Sequence, residues 1–120
     1  ARMKLIVNMI MGGMMTAFSE GLHLARRSGL DTTDLLDVLA SGALANPMFA
    51  GKGPLMEAGR FDPAFPLKHM EKDLRLALAL GATLVQSLET AETAQSLFAQ
   101  ALEMGLGDCD MGAVHKVMES

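Results

Sequence analysis

The sequence contains no tryptophan and no tyrosine, and it has only five phenylalanines among its 120 residues. Aromatic rings that could stack on bases are therefore scarce, and the formal net charge of −4 comes without a long basic run for a phosphate backbone. We expect no nucleic acid partner. The core must be built from aliphatic side chains and from eleven methionines, which we interpret as adaptable core or subunit packing, with a Met-rich binding groove as the alternative.

Cysteine is almost absent as well, because Cys109 is the single one. An intrachain disulfide is therefore impossible, and a reduced, cytoplasmic compartment is expected. Metal-ligand spacings such as C-x-x-C are missing, so we predict no metal site. The three histidines His23, His69 and His115 are too scattered to form one, and we interpret them as surface or helix-boundary residues without a role.

The common nucleotide-binding and hydrolase motifs are also missing, including the P-loop, the G-x-G-x-x-G turn after a strand, H-E-x-x-H and the nucleophile elbow. Any nucleotide chemistry must therefore use a phosphate-binding loop from elsewhere. No stretch alternates with a period of two, so no β-sheet is expected.

What the chain does have is a long apolar segment near its start. A helix is predicted from Met3 to Ser28, with Gly29 as its stop. The apolar run 5–18 is short for a membrane span and contains Asn8, so we expect a core helix and no membrane partner. Because this run is apolar on nearly every side, we predict that other helices or a partner subunit surround it. Gly12 and Gly13 predict close packing against another backbone.

The rest of the chain predicts shorter helices. One begins at Asp31 or Thr32 and ends at Gly42, and residues 45–66 are rich in proline and glycine and predict mostly loop, with a short helical piece at 54–58. The last three predicted helices run from Pro66 to Leu80 with Gly81 as a stop, from Leu88 to Met104, and from an Asp110 cap to the C-terminus. The fold class is therefore all-α, a single multi-helix domain built around a long, almost fully buried N-terminal helix.

Two polar patterns are candidates for chemistry. Lys4 and Asn8 are four residues apart and so share one helix face, although a surface lysine beside a tolerated polar residue would show the same spacing. A buried amide without a partner costs about 1 to 3 kcal/mol, so a polar group should meet Asn8. Lys68, Lys72 and Arg75 form a basic stripe, which suits either an anion or a solvated face.

Four ordered blocks carry a family resemblance: "KLIVN" at the start of the first helix, "FSEGLHLARRSGLD" at its end, "NPMFAGKG" in the loop and "FPLKHMEKDLRLA" near the fourth helix. Together they resemble the C-terminal helical domain of the β-hydroxyacid dehydrogenases, which are similar to 3-hydroxyisobutyrate dehydrogenase. The nearest branch is that of the glyoxylate and succinic semialdehyde reductases, also called γ-hydroxybutyrate dehydrogenases.

The resemblance implies a role for each matching residue. Lys4 matches the catalytic lysine, which exchanges a proton with the substrate oxygen. Asn8 matches an asparagine that holds the substrate or the lysine. Phe65 and Asp73 match positions that line the substrate site, and Lys72 matches a lysine at the cofactor.

It also implies that residues 1–120 are the C-terminal substrate and dimerisation domain of an enzyme whose N-terminal Rossmann domain is absent from this chain. That domain would bind most of the cofactor, NADPH or NADH, and the isolated chain would be inactive. The expected substrates are small aldehyde or keto acids, and the expected assembly is a homo-oligomer through the helical domain. The alternatives are a non-catalytic helical dimerisation module and an independent small-ligand binder that uses the basic stripe.

Overall fold

The computed structural model describes residues 1–119, and over that range it contains helices and no strand. This confirms the all-α prediction. The elements are α1 (Arg2–Arg27), α2 (Thr32–Ala40), α3 (Pro47–Glu57), α4 (Leu67–Thr83), α5 (Glu89–Glu103) and a C-terminal 3₁₀ helix (Met111–Met118).

One continuous core lies between α1, α4, α5 and the 3₁₀ helix. Helix α1 is about 39 Å long at 1.5 Å per residue, close to the longest dimension of the domain, 43 Å. The shorter α2 and α3 pack on each other beside the C-terminal half of α1. The largest side chains buried in the core come from all four main elements: Met15, Leu22, Leu67, Met70, Leu74, Phe98, Met111 and Val114.

Helix α1 is not almost fully buried within the described chain, so that part of the prediction is wrong, whereas cover by a partner subunit stays a prediction. Met3, Val7 and Ile10 are 75%, 53% and 54% exposed, because α4 and α5 cover only one side of the first three turns. Within residues 1–119, α1 is also the one helix that is long and apolar enough to cross a membrane by length and composition, a test that the core helix of a globular domain also passes.

Residues 47–57 form a helix where mostly loop was predicted. Asn46 caps α3 by accepting a hydrogen bond from the Phe49 N–H at 3.0 Å, and Pro47 occupies its first turn. Gly53 is buried, and a Cβ there would lie 2.6 Å from Leu36 Cδ2. Gly53, which suggested a loop, therefore allows α3 to pack closely on α2. This packing offsets the free-energy cost of placing Gly53 and Pro54 inside a helix.

The predictions for three other glycines have different outcomes. A Cβ on Gly12 would lie 2.9 Å from Met70 Sδ, so α1 packs closely on α4 there, but against side chains and not against the predicted backbone. Gly13 has only an ordinary contact, with Thr90 Cγ2 at 3.9 Å from such a Cβ. Gly81 does not end α4, which continues to Thr83.

The C-terminal 3₁₀ helix is held on α1 by a buried polar cluster. His115 is 1% exposed, so the surface placement expected for it is wrong. Its Nδ1 shares a hydrogen bond with Ser19 Oγ at 2.7 Å, and its ring stacks on His23 with centroids 3.9 Å apart. His23 Nε2–H donates to the His115 carbonyl at 2.9 Å. Burial, followed by the nearby charge of His23, lowers the pKa of His115 to about 4.

Candidate active site

Two of the predicted site residues meet where α1 crosses α4. Asn8 is 9% exposed, and its Nδ2 donates to Asp73 Oδ2 at 2.7 Å. Gly12, one turn along α1, lets the two helices approach closely enough for this contact. The polar partner that the buried amide requires is therefore Asp73, a residue 65 positions away in sequence.

Lys4 lies one turn before Asn8 on the same face of α1. Its side chain is exposed and has no ion-pair partner within residues 1–119. It is also in the first turn of α1, where the positive end of the helix dipole disfavours a cation. The ammonium is therefore available to an incoming electronegative atom, and nothing in the described chain neutralises it.

The basic stripe is not uniform. Lys68 donates to Asp108 at 2.7 Å, and Arg75 pairs with the buried Glu71 at 3.3 Å. Of these three residues only Lys72, directly beside Asp73, is exposed and without an ion pair in the described part of the chain. Within the stripe, only Lys72 can therefore meet an anionic or polar group without first breaking an ion pair.

Phe65 lies outside the contact between Asn8 and Asp73. It precedes α4, is half-buried, and its ring approaches His69 with centroids 6.4 Å apart. Its backbone is fixed at both ends, because its N–H donates to Asp110 Oδ1 at 3.0 Å and its carbonyl accepts from the Met111 N–H at 2.8 Å. The structure thus places Phe65 on a firmly held segment near the first turn of α4.

The residue that holds this segment, Asp110, was predicted only as a helix cap. It does cap the 3₁₀ helix through the Gly112 N–H at 2.9 Å, and it also accepts from Lys52 Nζ at 2.7 Å and from the Ala64 N–H at 3.0 Å. Burial alone would raise the pKa of Asp110, but these bonds and that from Phe65 outweigh it and hold the pKa below its usual range. Sequence reasoning did not identify Lys52 as the partner of Asp110. The only available signal was its place in the "GKG" of the loop block "NPMFAGKG".

The described residues hold no group of three or more histidine, cysteine or acidic side chains that could bind a metal ion. They also include no strand and no strand-to-helix phosphate loop. Lys72 and Lys4 supply exposed positive charge that fits part of an anionic dinucleotide, whereas the phosphate-binding loop would have to come from another domain.

Comparison with known proteins identifies relatives over nearly the whole chain. A family model described as "NAD-binding of NADP-dependent 3-hydroxyisobutyrate dehydrogenase" matches residues 1–118. Glyoxylate/succinic semialdehyde reductase 1 of Arabidopsis thaliana is 59% identical over 114 residues, which are 95% of this chain and 39% of that protein. The chloroplastic reductase 2 of the same plant is 45% identical over 120 residues, 100% of this chain and 34% of that protein.

Two further relatives show the range of the similarity. The human cytokine-like nuclear factor N-PAC is 40% identical over 116 residues, 97% of this chain and 21% of that protein. A crystal structure of 3-hydroxyisobutyrate dehydrogenase from Salmonella typhimurium superimposes with a TM-score of 0.90 at 28% identity, over 98% of this chain and 41% of that one. The chain thus spans well under half the length of the relatives it matches. It belongs to the 3-hydroxyisobutyrate dehydrogenase family of NAD(P)-dependent oxidoreductases.

Proposed function

We propose that this chain is the helical, lysine-bearing domain of an NADP(H)-dependent β-hydroxyacid dehydrogenase. The proposed reaction reduces a small aldehyde or keto acid, such as glyoxylate or succinic semialdehyde, to the hydroxy acid. The observation that carries the proposal is the hydrogen bond from Asn8 to Asp73, because it joins two separately recognised blocks beside an unpaired Lys4. The names of the two plant reductases support the choice of substrates.

In this mechanism Lys4 is the general acid. Its ammonium stabilises the negative charge that develops on the carbonyl oxygen and donates the proton that completes the alcohol. In the reverse direction the same amine accepts the proton. The bound nicotinamide cofactor supplies the hydride.

The other residues of the site orient these groups. Asn8 is held rigidly by Asp73 one turn from Lys4. Lys72 offers its free ammonium to the cofactor from the adjacent position on α4. Phe65 presents an apolar ring to the substrate side from a backbone that Asp110 fixes. The dinucleotide itself would bind mainly to a Rossmann domain outside this chain.

The assay that tests this proposal measures NADPH consumption with glyoxylate and with succinic semialdehyde. The protein assayed is expressed from the full coding sequence to which this chain belongs. Lys4→Ala should lower turnover by at least about 100-fold, the lower range for a general acid, and leave the melting temperature unchanged. Lys68→Ala, which removes a surface lysine paired with the exposed Asp108, is the matched control and should keep full turnover. Unchanged turnover in Lys4→Ala would remove Lys4 from the mechanism.

A second candidate function is a non-catalytic helical dimerisation module. The exposed apolar residues of α1 favour it. Dimerisation and catalysis are compatible in one domain, and we also propose a homo-oligomer formed through these helices. We also propose a cytoplasmic location, although one reductase relative carries a chloroplast designation.

A further inference from the structure

The buried carboxylate of Asp110 uses its two oxygens on different parts of the chain. Oδ1 accepts hydrogen bonds from the Ala64 and Phe65 N–H groups, both at 3.0 Å. Oδ2 accepts from Lys52 Nζ at 2.7 Å and from the Gly112 N–H at 2.9 Å. Because Asp110 is 5% exposed, water has little access to replace a lost partner. One side chain therefore ties the segment before α4 both to α3 and to the C-terminal 3₁₀ helix.

Main-chain hydrogen bonds extend this connection on both sides of Phe65. They join residues 61–68 to residues 107–111 at 2.8 to 3.0 Å: the Asp110 N–H donates to the Phe61 carbonyl, the Met111 N–H to that of Phe65, the Leu67 N–H to that of Cys109 and the Lys68 N–H to that of Gly107. Helix α4 has no side-chain cap, so the last two of these bonds satisfy N–H groups at its start. Both main-chain polar groups of Phe65 are engaged, so the backbone that carries its ring follows the position of Asp110.

Lys52 neutralises this carboxylate from α3. Its side chain is 16% exposed, and its ammonium forms the ion pair with Asp110. Removing the ammonium leaves a buried negative charge without a counter-ion, which is strongly unfavourable. The carboxylate is then expected to move towards water and to weaken its hydrogen bonds to Ala64 and Phe65. The charge of Lys52 therefore bears on the position of Phe65.

The two proposed substrates differ in the apolar surface that a phenyl ring can cover. In glyoxylate the aldehyde carbon is bonded directly to the carboxylate, whereas two methylene groups separate them in succinic semialdehyde. Burying one methylene contributes about fourfold to an equilibrium constant. A correctly placed Phe65 ring therefore favours the longer substrate by up to about 15-fold, and it has no methylene of glyoxylate to cover.

We propose that the ion pair of Lys52 and Asp110 positions Phe65 and thereby sets the preference of the enzyme for a methylene-containing aldehyde acid over glyoxylate. This inference rests on the proposed function, in which Phe65 faces the substrate. Lys52 and Asp110 are positioning residues, because both act through Phe65. Their effect is a difference between two substrates, so it appears in the ratio of two kcat/KM values.

The test is the ratio of kcat/KM for succinic semialdehyde to kcat/KM for glyoxylate, measured with NADPH in one preparation of the full-length protein. Partial unfolding lowers both values equally, so this ratio responds to the site and not to stability. Lys52→Met should lower the ratio by about 3- to 15-fold. Lys52→Arg keeps a cation beside Asp110 and should lie closer to the parent. If Lys52→Met does not fold, Lys52→Gln removes the charge with a smaller change in polarity and takes its place.

A double-mutant cycle shows whether Lys52 acts through Phe65. Phe65→Ala should lower the same ratio, and adding Lys52→Met to it should change the ratio by less than about twofold. Lys68→Met is the matched control, because it removes a lysine that pairs with Asp108 of the same 107–111 segment in an exposed ion pair. Its ratio should equal that of the parent.

Three results would overturn the inference: an unchanged ratio in the folded Lys52 variants, an unchanged ratio in Phe65→Ala, or a further fall in the double variant. The parent protein separates this inference from the proposed function. A parent that reduces neither substrate defeats the proposed function and the inference together. A parent that reduces both substrates, with a ratio that does not respond to Lys52, defeats the inference alone.

Discussion

At the scale of single residues, Gly81 shows how a missing side chain permits a close approach. A Cβ there would lie 2.9 Å from the Gln86 carbonyl oxygen and 2.7 Å from Leu88 Cδ1. We predict that Gly81→Ala lowers the free energy of unfolding by about 1 to 3 kcal/mol, as for overpacked sites. Gly51→Ala is the control: nothing lies within 4 Å of its Cβ position, so it should stabilise α3 by about 0.5 to 1 kcal/mol. Urea titration measures both, and equal effects would contradict this reading of Gly81.

Asp110 and Asp108 provide a second contrast between residues. Asp110→Asn leaves the half-buried Lys52 ammonium without its carboxylate and should cost about 3 kcal/mol of unfolding free energy at pH 7. Asp108→Asn removes an exposed partner of Lys68 and should leave the denaturation midpoint unchanged. The pKa of Asp110 is lower in the folded chain than its value of 3.8 in the unfolded chain, so its carboxylate stabilises the fold above pH 3.8. This stabilisation is lost as the pH falls through the folded-state pKa. An Asp110→Asn protein as stable as the parent would contradict the role assigned to this ion pair.

The site was partly predictable from single residues. The cost of burying Asn8 predicted a polar partner, and the structure supplies one. Sequence spacing could not identify that partner as Asp73, because the contact depends on how closely α1 and α4 pack at Gly12. The pairing of Lys52 with Asp110 likewise depends on tertiary packing, since 58 positions separate them. The catalytic and binding roles of Lys4, Phe65 and Lys72 remain predictions.

At the scale of elements, the capping signals were reliable, whereas the glycine signals were mixed. Gly29 follows the end of α1 as predicted, with a φ of 86°. Asp31 and Asp110 each accept a hydrogen bond from the backbone N–H two residues ahead, as their positions predicted. Gly53 and Gly81 predict helix interruptions, but both lie within helices. At each position a neighbouring residue occupies the space that a Cβ would need, which accounts for the glycine. A glycine in the sequence shows where a helix can end, but tertiary packing determines whether the helix ends there.

The C-terminal 3₁₀ helix should make the fold sensitive to mild acid. An unfolded histidine takes up a proton near pH 6.5, whereas folded His115 does so only near pH 4. The unfolded chain therefore binds more protons in this window, and the free energy of unfolding should fall by up to about 3 kcal/mol as the pH drops from 6.5 to 4. His115→Asn should flatten this slope, and His69→Asn, at an exposed position, should not. Denaturant titrations at several pH values measure it, and an unchanged slope in His115→Asn would contradict the assignment.

At the scale of the whole molecule, the exposed face of α1 is the feature that this chain alone does not explain. Apolar residues follow one another along it at helical spacing: Met3, Ile6, Val7, Ile10 and Met14. The chain covers 39% of reductase 1, and we propose that a further domain or a second copy covers this face. The sequence did predict that α1 would need such cover, but not which side of it.

We predict that Ile10→Lys weakens self-association of the full-length protein. Ile10 is 54% exposed, so the substitution should leave the melting temperature nearly unchanged. A buried charge at a subunit interface disfavours assembly, and sedimentation velocity should show a smaller species at the same protein concentration. Leu76→Lys, at an apolar position of α4 that is 42% exposed, is the matched control. An unchanged sedimentation coefficient in Ile10→Lys would place the subunit contact elsewhere.

The central claim is that an ammonium at position 4 performs the proton transfer, and restoring that ammonium chemically tests it most directly. In a Cys109→Ser background, Lys4→Cys leaves one cysteine in this chain, and bromoethylamine converts it to a close analogue of lysine. Lys4→Ala, treated with bromoethylamine in the same way, controls for alkylation of any cysteine elsewhere in the full-length protein. The account predicts that NADPH-dependent turnover is nearly absent in Lys4→Cys and returns on alkylation, while Lys4→Ala stays inactive. Full alkylation without recovery, in a protein that is folded and binds NADPH, would contradict it.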